Sequence, residues 1–289
     1  MSTPGYWFES DDGLRLFSRV YAGPSPGAPV VLCLHGLMRN SRDFEDLAIH
    51  LTARYRVIVP DVRGRGFSAR DPKAENYQIP VYLKDLELLL NALGVERTAI
   101  IGTSMGGLIA MVLAAMQPAR VARIVLNDVG PEVDPAGLER IRGYAGKSTA
   151  VKTWAEAAAQ LRTVFGKAWP GLDVARWEAL ARRSYRTNPS GDIEADADPR
   201  IGDVLRGSPS AVPDVWPLWR TLERIPVLAL RGALSDVLSE ATLARMQREK
   251  PDLQALTIAN RGHVPLLDEP ESLAAIDAFL ASGSGGSQL

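Results

Sequence analysis

Cysteine occurs once in the 289 residues, at Cys33, inside the apolar run VVLCLHG. One thiol excludes an intrachain disulfide framework and a cysteine-rich zinc site. Its apolar neighbours mark it as a small core residue rather than a nucleophile. Histidine is nearly as scarce, at three. Neither sign of charge dominates: 33 Lys and Arg stand against 34 Asp and Glu, a net charge of −1. No basic excess is present to favour nucleic acid or an anionic membrane as a partner. The longest apolar run, LIAMVLAAM, is too short to span a bilayer, and the start MSTPGYWFESDDG lacks the basic and apolar regions of a signal peptide. The expectation is a soluble, cytoplasmic protein with a small-molecule partner; monomer and homo-oligomer stay open. No His/Asp/Glu cluster has metal-ligand spacing. The Gly-rich PDVRGRGFSAR lacks the Lys-Ser/Thr ending of a phosphate-binding loop, so no metal or other cofactor is expected.

What is present is an alternation of short apolar runs with longer helical patterns. LRLFSRVY alternates apolar and polar, as a half-exposed antiparallel strand does. PVVLCLHG, YRVIVPDV, TAIIGTS, RIVLNDV and IPVLALRG are continuously apolar and end in Gly, Asp or Ser. That is the pattern of strands buried on both faces of a parallel sheet, and LQALTIANRG reads as the last of them. Helical patterns such as DFEDLAIHLTAR, VYLKDLELLLNALG and GGLIAMVLAAMQ lie between. The fold class is therefore α/β, a mostly parallel twisted sheet with helices on both faces. From 131 to 217 the rhythm breaks. No strong strand signal appears, only helical pieces such as VKTWAEAAAQLRTVF and VARWEALARRSY, and the stretch is too long for a loop. It reads as an inserted helical lid on a core of 1–130 and 218–282, with 283–289 a Gly/Ser-rich flexible tail. Five of the six tryptophans fall in or at the exit of the lid: Trp154, Trp169, Trp177, Trp216 and Trp219.

The centre of the chemistry is AIIGTSMGGLIAMVLAAM, where a polar serine interrupts two apolar runs. Gly102-Thr103-Ser104-Met105-Gly106 fits G-x-S-x-G, with a strand before it and a helix after it. Such a turn strains the serine backbone, and the small flanking residues let strand and helix approach closely. A plain helix cap in a Gly-rich turn is the competing reading. A serine hydroxyl needs a base. His50 sits in a surface helix pattern and His35 ends a strand. His263 lies in a loop between Gly262 and Pro265 after the last strand, which suits a base that must reach the nucleophile. The imidazole needs a carboxylate to orient it. Asp236, in the loop after IPVLALRG, is the favoured acid, and Asp128, at the end of RIVLNDV, is the alternative. An oxyanion hole requires two backbone N–H groups; Met105 supplies one and Leu37 the other. His35-Gly36 then forms a structural dipeptide.

LHGL, DVRGRGFS, GTSMGG, LRGALSD and RGHVPLLDEP, in this order and spacing, resemble the α/β-hydrolase superfamily in its lid-bearing esterase, lactonase and C–C hydrolase branch. The resemblance covers about residues 30 to 280. It implies an α/β-hydrolase fold, a Ser104–His263–Asp236 triad with Leu37 and Met105 as oxyanion donors, no cofactor, and a scaffold role for DVRGRGFS. An elbow serine argues against the dehalogenase and epoxide-hydrolase branches, which carry aspartate there. The expected activity is hydrolysis of small to medium, mostly hydrophobic carboxylic esters through an acyl-enzyme. Lactonase, diketone C–C hydrolase and cofactor-free perhydrolase are alternatives, and a ligand-binding receptor on this fold is an alternative of another class. Met38, Arg39, Asn40 and Trp154 are expected at the substrate. Arg39 and Asn40 read equally as a surface Arg and a loop cap.

Overall fold

Strands that are apolar on both faces must be covered on both faces, and that requirement organises the chain. The computed structural model describes residues 5–207 and 214–282; the tail expected at 283–289 lies outside them. In chain order the elements are β1 (Gly5–Glu9), β2 (Arg15–Tyr21), β3 (Val30–Leu34), α1 (Glu45–Leu51), β4 (Arg56–Asp61), α2 (Ile79–Ala92), β5 (Thr98–Thr103), α3 (Met105–Met116) and β6 (Val121–Asn127). There follow α4 (Pro135–Tyr144), α5 (Trp154–Phe165), α6 (Val174–Ser184), β7 (Tyr185–Thr187), β8 (Ile193–Ala195), α7 (Arg200–Gly207) and α8 (Trp216–Arg220). The last are β9 (Val227–Gly232), α9 (Glu240–Glu249), β10 (Gln254–Ile258) and α10 (Pro270–Ala281).

The main sheet runs β1-β2-β4-β3-β5-β6-β9-β10. It is antiparallel where β1 meets β2 and β2 meets β4, and parallel from β4 onward. Each inner strand sends alternate residues to opposite faces. Leu32, Leu34, Ile100, Ile124 and Leu126 pack in one cluster with the apolar faces of α2 and α3. Val31, Cys33, Val57, Ile101 and Val125 pack in the other with α1 and α10. Every strand expected from a continuous apolar run is present. The sequence reading missed β1, whose partner is β2 and whose Trp7 stacks edge-on against Phe17 with centroids 4.9 Å apart.

Between β6 and β9 the chain leaves the sheet. Helices α4 to α7 lie along the stretch, with the two-stranded β7–β8 hairpin among them. That hairpin is too short to register as a run. Thr153 caps α5 in a capping box with Glu156, and Asp173 caps α6. Leu161, Trp169, Trp177, Leu180 and Ile193 form a separate apolar cluster. The expected boundary at 217 falls inside α8, and Trp216 and Trp219 pack in the core of the sheet together with Ala197 and Ile201. The final part of the inserted stretch is thus docked on the sheet, and these two tryptophans fill its core.

Candidate active site

Ser104 stands between β5 and α3 with φ 51° and ψ −115°, a conformation an L-residue adopts only where its surroundings force it. The surroundings do so through close packing. A Cβ at Gly102 would lie 2.5 Å from the carbonyl oxygen of Gly106 and the nitrogen of Gly107, and one at Gly106 would overlap the carbonyl of Leu34. Glycine at both positions brings α3 against β5 and β3, and the serine is pushed out at the carboxyl ends of the strands. The Ser104 N–H donates to the carbonyl of Asn127 (3.0 Å).

His263 meets Ser104 there. The Ser104 hydroxyl donates to His263 Nε2 at 2.9 Å, and His263 Nδ1 donates to Asp128 Oδ2 at 2.8 Å. An ionised carboxylate only accepts, which places the ring proton on Nδ1. Asp128 follows β6 with φ 56° and is fully buried. Its Oδ1 accepts from the Gly232 N–H (2.8 Å), and its Oδ2 also accepts from the Ser235 hydroxyl (2.6 Å). Three hydrogen bonds thus hold a buried carboxylate in place.

The favoured acid, Asp236, is elsewhere. Both its oxygens accept from Arg140 of α4, at 2.5 and 2.8 Å, and its side chain is 37% exposed. Burial works against its charge, but the Arg140 guanidinium outweighs it and holds Asp236 below the usual carboxylate range. The cause is local. Helix α4 lies on the loop after β9 with Gly137 against the Asp236 carbonyl, and it turns the acid toward Arg140. Asp128, just past the end of β6, the strand between β5 and β9, faces the histidine directly. Both aspartates satisfy the order Ser, Asp, His, so order could not separate them.

His35 braces the turn below Ser104. Its Nε2 accepts from the Val62 N–H (3.0 Å), its Nδ1 lies 2.8 Å from the Gly36 carbonyl, and complete burial pushes its pKa down to about 4. His50 is on the surface beside Asp277. In DVRGRGFS, Arg63 is buried against Asp85, Asp71 and Asp12, and Asp61 accepts from the N–H groups of Ser41 and Phe67. Arg65, also buried, donates from Nε to the Leu37 carbonyl (2.9 Å) and lies 3.7 Å by Nη2 from the Met105 sulfur.

A cavity of about 70 Å³ is lined by Ser104, His263, Leu37, Met38, Arg39 and Trp169, among others. A larger one of about 550 Å³ shares Met38, Arg39, Tyr144 and Phe165 with it. Two expected substrate residues line neither cavity. Asn40 is buried in the wall, where it caps the short helix at 41–44 and donates to the Arg183 carbonyl (2.9 Å). Trp154 packs on the separate apolar cluster of the inserted stretch, under Arg182, whose guanidinium carbon lies 4.5 Å from its ring centroid. Trp169 is the tryptophan at the site. It stacks on Phe165 with centroids 4.7 Å apart, and its indole N–H donates to the Val264 carbonyl (2.7 Å). The Gly262 N–H donates to the Ala168 carbonyl (2.6 Å), so the turn after α5 grips the His263 loop on both sides. Tyr144, Phe165 and Asp43 also line the cavities without having been singled out. Trp169 carried one sequence signal, its place before Pro170-Gly171 between two helical patterns.

This fold and this serine elbow define an α/β hydrolase, and comparison with known proteins agrees. The alpha/beta hydrolase fold family model matches residues 29–162. The chain is 37% identical to a 3-hydroxybutyrate-oligomer hydrolase of Cupriavidus necator, over 93% of this chain and 94% of that protein. It is 26% identical to a 2-(acetamidomethylene)succinate hydrolase of Mesorhizobium japonicum, over 87% and 88%. The crystal structure of an alpha/beta hydrolase from Novosphingobium aromaticivorans superposes with a TM-score of 0.92 at 46% identity, covering 97% of this chain and 99% of that one. The chain belongs to the α/β-hydrolase family and is a hydrolase. Among the described residues no helix is long and apolar enough to cross a membrane.

Proposed function

We propose that the protein is a serine esterase acting on small carboxylic esters, with oligomers of short hydroxy acids foremost among them. One observation carries the reading: the unbroken relay from Ser104 Oγ through both nitrogens of His263 to Asp128. His263 Nε2 takes the hydroxyl proton as Ser104 Oγ attacks the ester carbonyl carbon. Asp128 keeps the ring in the required tautomer and balances the imidazolium. The oxyanion is held by the N–H of Met105, the first residue of α3 and so without a helical partner, and by that of Leu37 in the cavity wall. His263 returns the proton to the leaving alcohol oxygen. Water, deprotonated by the same nitrogen, then releases the acid and restores Ser104.

The hydroxy-acid preference comes from the Cupriavidus relative, which matches along nearly the whole chain. The cavity lining is less apolar than the tryptophan-rich lid suggests, since Arg39, Asp43, Arg176 and Arg183 join the aromatic residues. The test is turnover of a 3-hydroxybutyrate dimer, a graded series of p-nitrophenyl esters, a lactone and a diketone, by wild type and Ser104→Ala. Ester turnover should fall by roughly 10⁴-fold or more in the variant. Near-normal turnover would exclude Ser104 as nucleophile. A wild type that cleaves only the lactone or the diketone would replace the substrate class.

A further inference from the structure

Arg39 is the basic residue that stands at both cavities. It ends the tight turn in which its own N–H donates to the Gly36 carbonyl (3.1 Å). A Cβ placed on Gly36 would lie 3.6 Å from Arg39 Cγ and 3.8 Å from Ser104 Cβ, so the stem of Arg39 and the nucleophile flank the same glycine. Nε and Nη2 each donate to the Asp43 carboxylate at 2.6 Å, and the ring of Trp169 lies 5.9 Å from the guanidinium carbon. The fork is therefore fixed. Its third nitrogen, Nη1, is closed off from solvent and has no hydrogen-bond partner. A buried guanidinium N–H without an acceptor is costly, and an acceptor brought into the site removes that cost.

The surrounding charge favours an anion. The cavity at Ser104 is lined by Arg39, Arg176 and Arg183 against the single carboxylate of Asp43. Arg176 pairs with Asp268, and Arg183 with Asp46. The larger cavity has Arg39, Arg70 and Lys147 against Glu194. Arg39 is thus a cation beside Ser104 with donor capacity left over, placed where the small cavity meets the roomier one.

We propose that Arg39 anchors a carboxylate of the substrate, so that the preferred esters carry a free acid group beside the scissile bond and are cleaved from that end. This rests on the esterase reading above. In the 3-hydroxybutyrate dimer such a group lies two carbons beyond the carbon bearing the ester oxygen.

The experiment compares kcat/KM for the 3-hydroxybutyrate dimer with that for its neutral primary amide. Wild type should favour the acid by about 10- to 100-fold, chiefly in KM. In Arg39→Gln the ratio should collapse toward one, and Arg39→Lys should recover part of it. A wild-type ratio near one, or a preference that survives in Arg39→Gln, overturns the proposal. Should Arg39→Gln fail to fold, wild type alone decides. Butyrate should inhibit hydrolysis of p-nitrophenyl butyrate competitively and butyramide should not; equal inhibition overturns the proposal. If p-nitrophenyl butyrate turnover depends on Ser104 while the acid-to-amide ratio is one, the esterase reading stands and only the role of Arg39 falls.

Discussion

Two aspartates lie at the sheet edge around His263, and only Asp128 touches it. Asp236 spends both oxygens on Arg140. Asp128→Asn should therefore lower kcat by roughly 10³- to 10⁴-fold, because an amide in place of the carboxylate no longer fixes the tautomer. Asp236→Asn should leave most of the activity and cost only a partly exposed ion pair. Steady-state kinetics on both variants, with circular dichroism to establish folding, checks this; the reverse ranking would restore Asp236. A second residue-scale prediction concerns His35. Its pKa is lowered from 6.5 to about 4 by burial, so the unfolded chain takes up a proton in that interval and the folded chain does not. The contribution to stability is full above pH 6.5 and is lost as the pH falls toward 4, amounting to roughly 3 kcal/mol. His35→Gln, which cannot titrate, should show a shallower fall in urea-unfolding free energy over that interval. An unchanged slope would assign the pH dependence to other groups.

At the scale of elements, the His263 loop is held by the turn after α5. The indole N–H of Trp169 and the carbonyl of Ala168 bond to Val264 and Gly262, on either side of His263. Trp169→Phe keeps an aromatic ring against Phe165 and removes the N–H. It should lower kcat several-fold at little cost in thermal stability, since one neutral hydrogen bond contributes about 1 kcal/mol. A loss of stability with kcat unchanged would make the contact purely structural. The elements themselves were largely legible in the sequence, because an apolar run with no polar interruption has few alternatives to a strand covered on both sides. The elbow was legible for the same reason: Gly102 and Gly106 are required by backbone contacts that any strand–turn–helix of this kind makes. Asp128 and Asp236 could not be told apart, because the decision rests on where α4 lands, and Arg140 had no sequence signal linking it to a loop nearly a hundred residues away. Asn40 and Trp154 were misplaced for a related reason. A polar residue near an oxyanion turn and an aromatic residue in a lid are as readily spent on the wall as on the cavity. Trp7 and β1 were missed because a five-residue edge strand shows little periodicity.

Over the whole molecule, the site is assembled from parts far apart in sequence and held by the sheet. Ser104 follows β5, Asp128 follows β6, and His263 follows β10, so the parallel strands bring all three to one edge. Buried Arg63, tied to Asp85, Asp71 and Asp12, fixes the loop from which Arg65 reaches Leu37 and Met105. That loop is also joined to the inserted stretch, since the Gly66 N–H donates to the Asp196 carbonyl and the Asp198 N–H to the Gly64 carbonyl. Sheet, DVRGRGFS loop and inserted stretch thus meet around one serine, and the account stands or falls on whether that serine carries the acyl group. The most direct measurement is rapid-quench mass spectrometry of the protein mixed with p-nitrophenyl butyrate, followed by peptide mapping. The account predicts a butyryl adduct on the peptide containing Ser104 within the first turnover, decaying as butyrate appears and absent in Ser104→Ala. Product formation with no adduct at any time, or with an adduct on another residue, would contradict it.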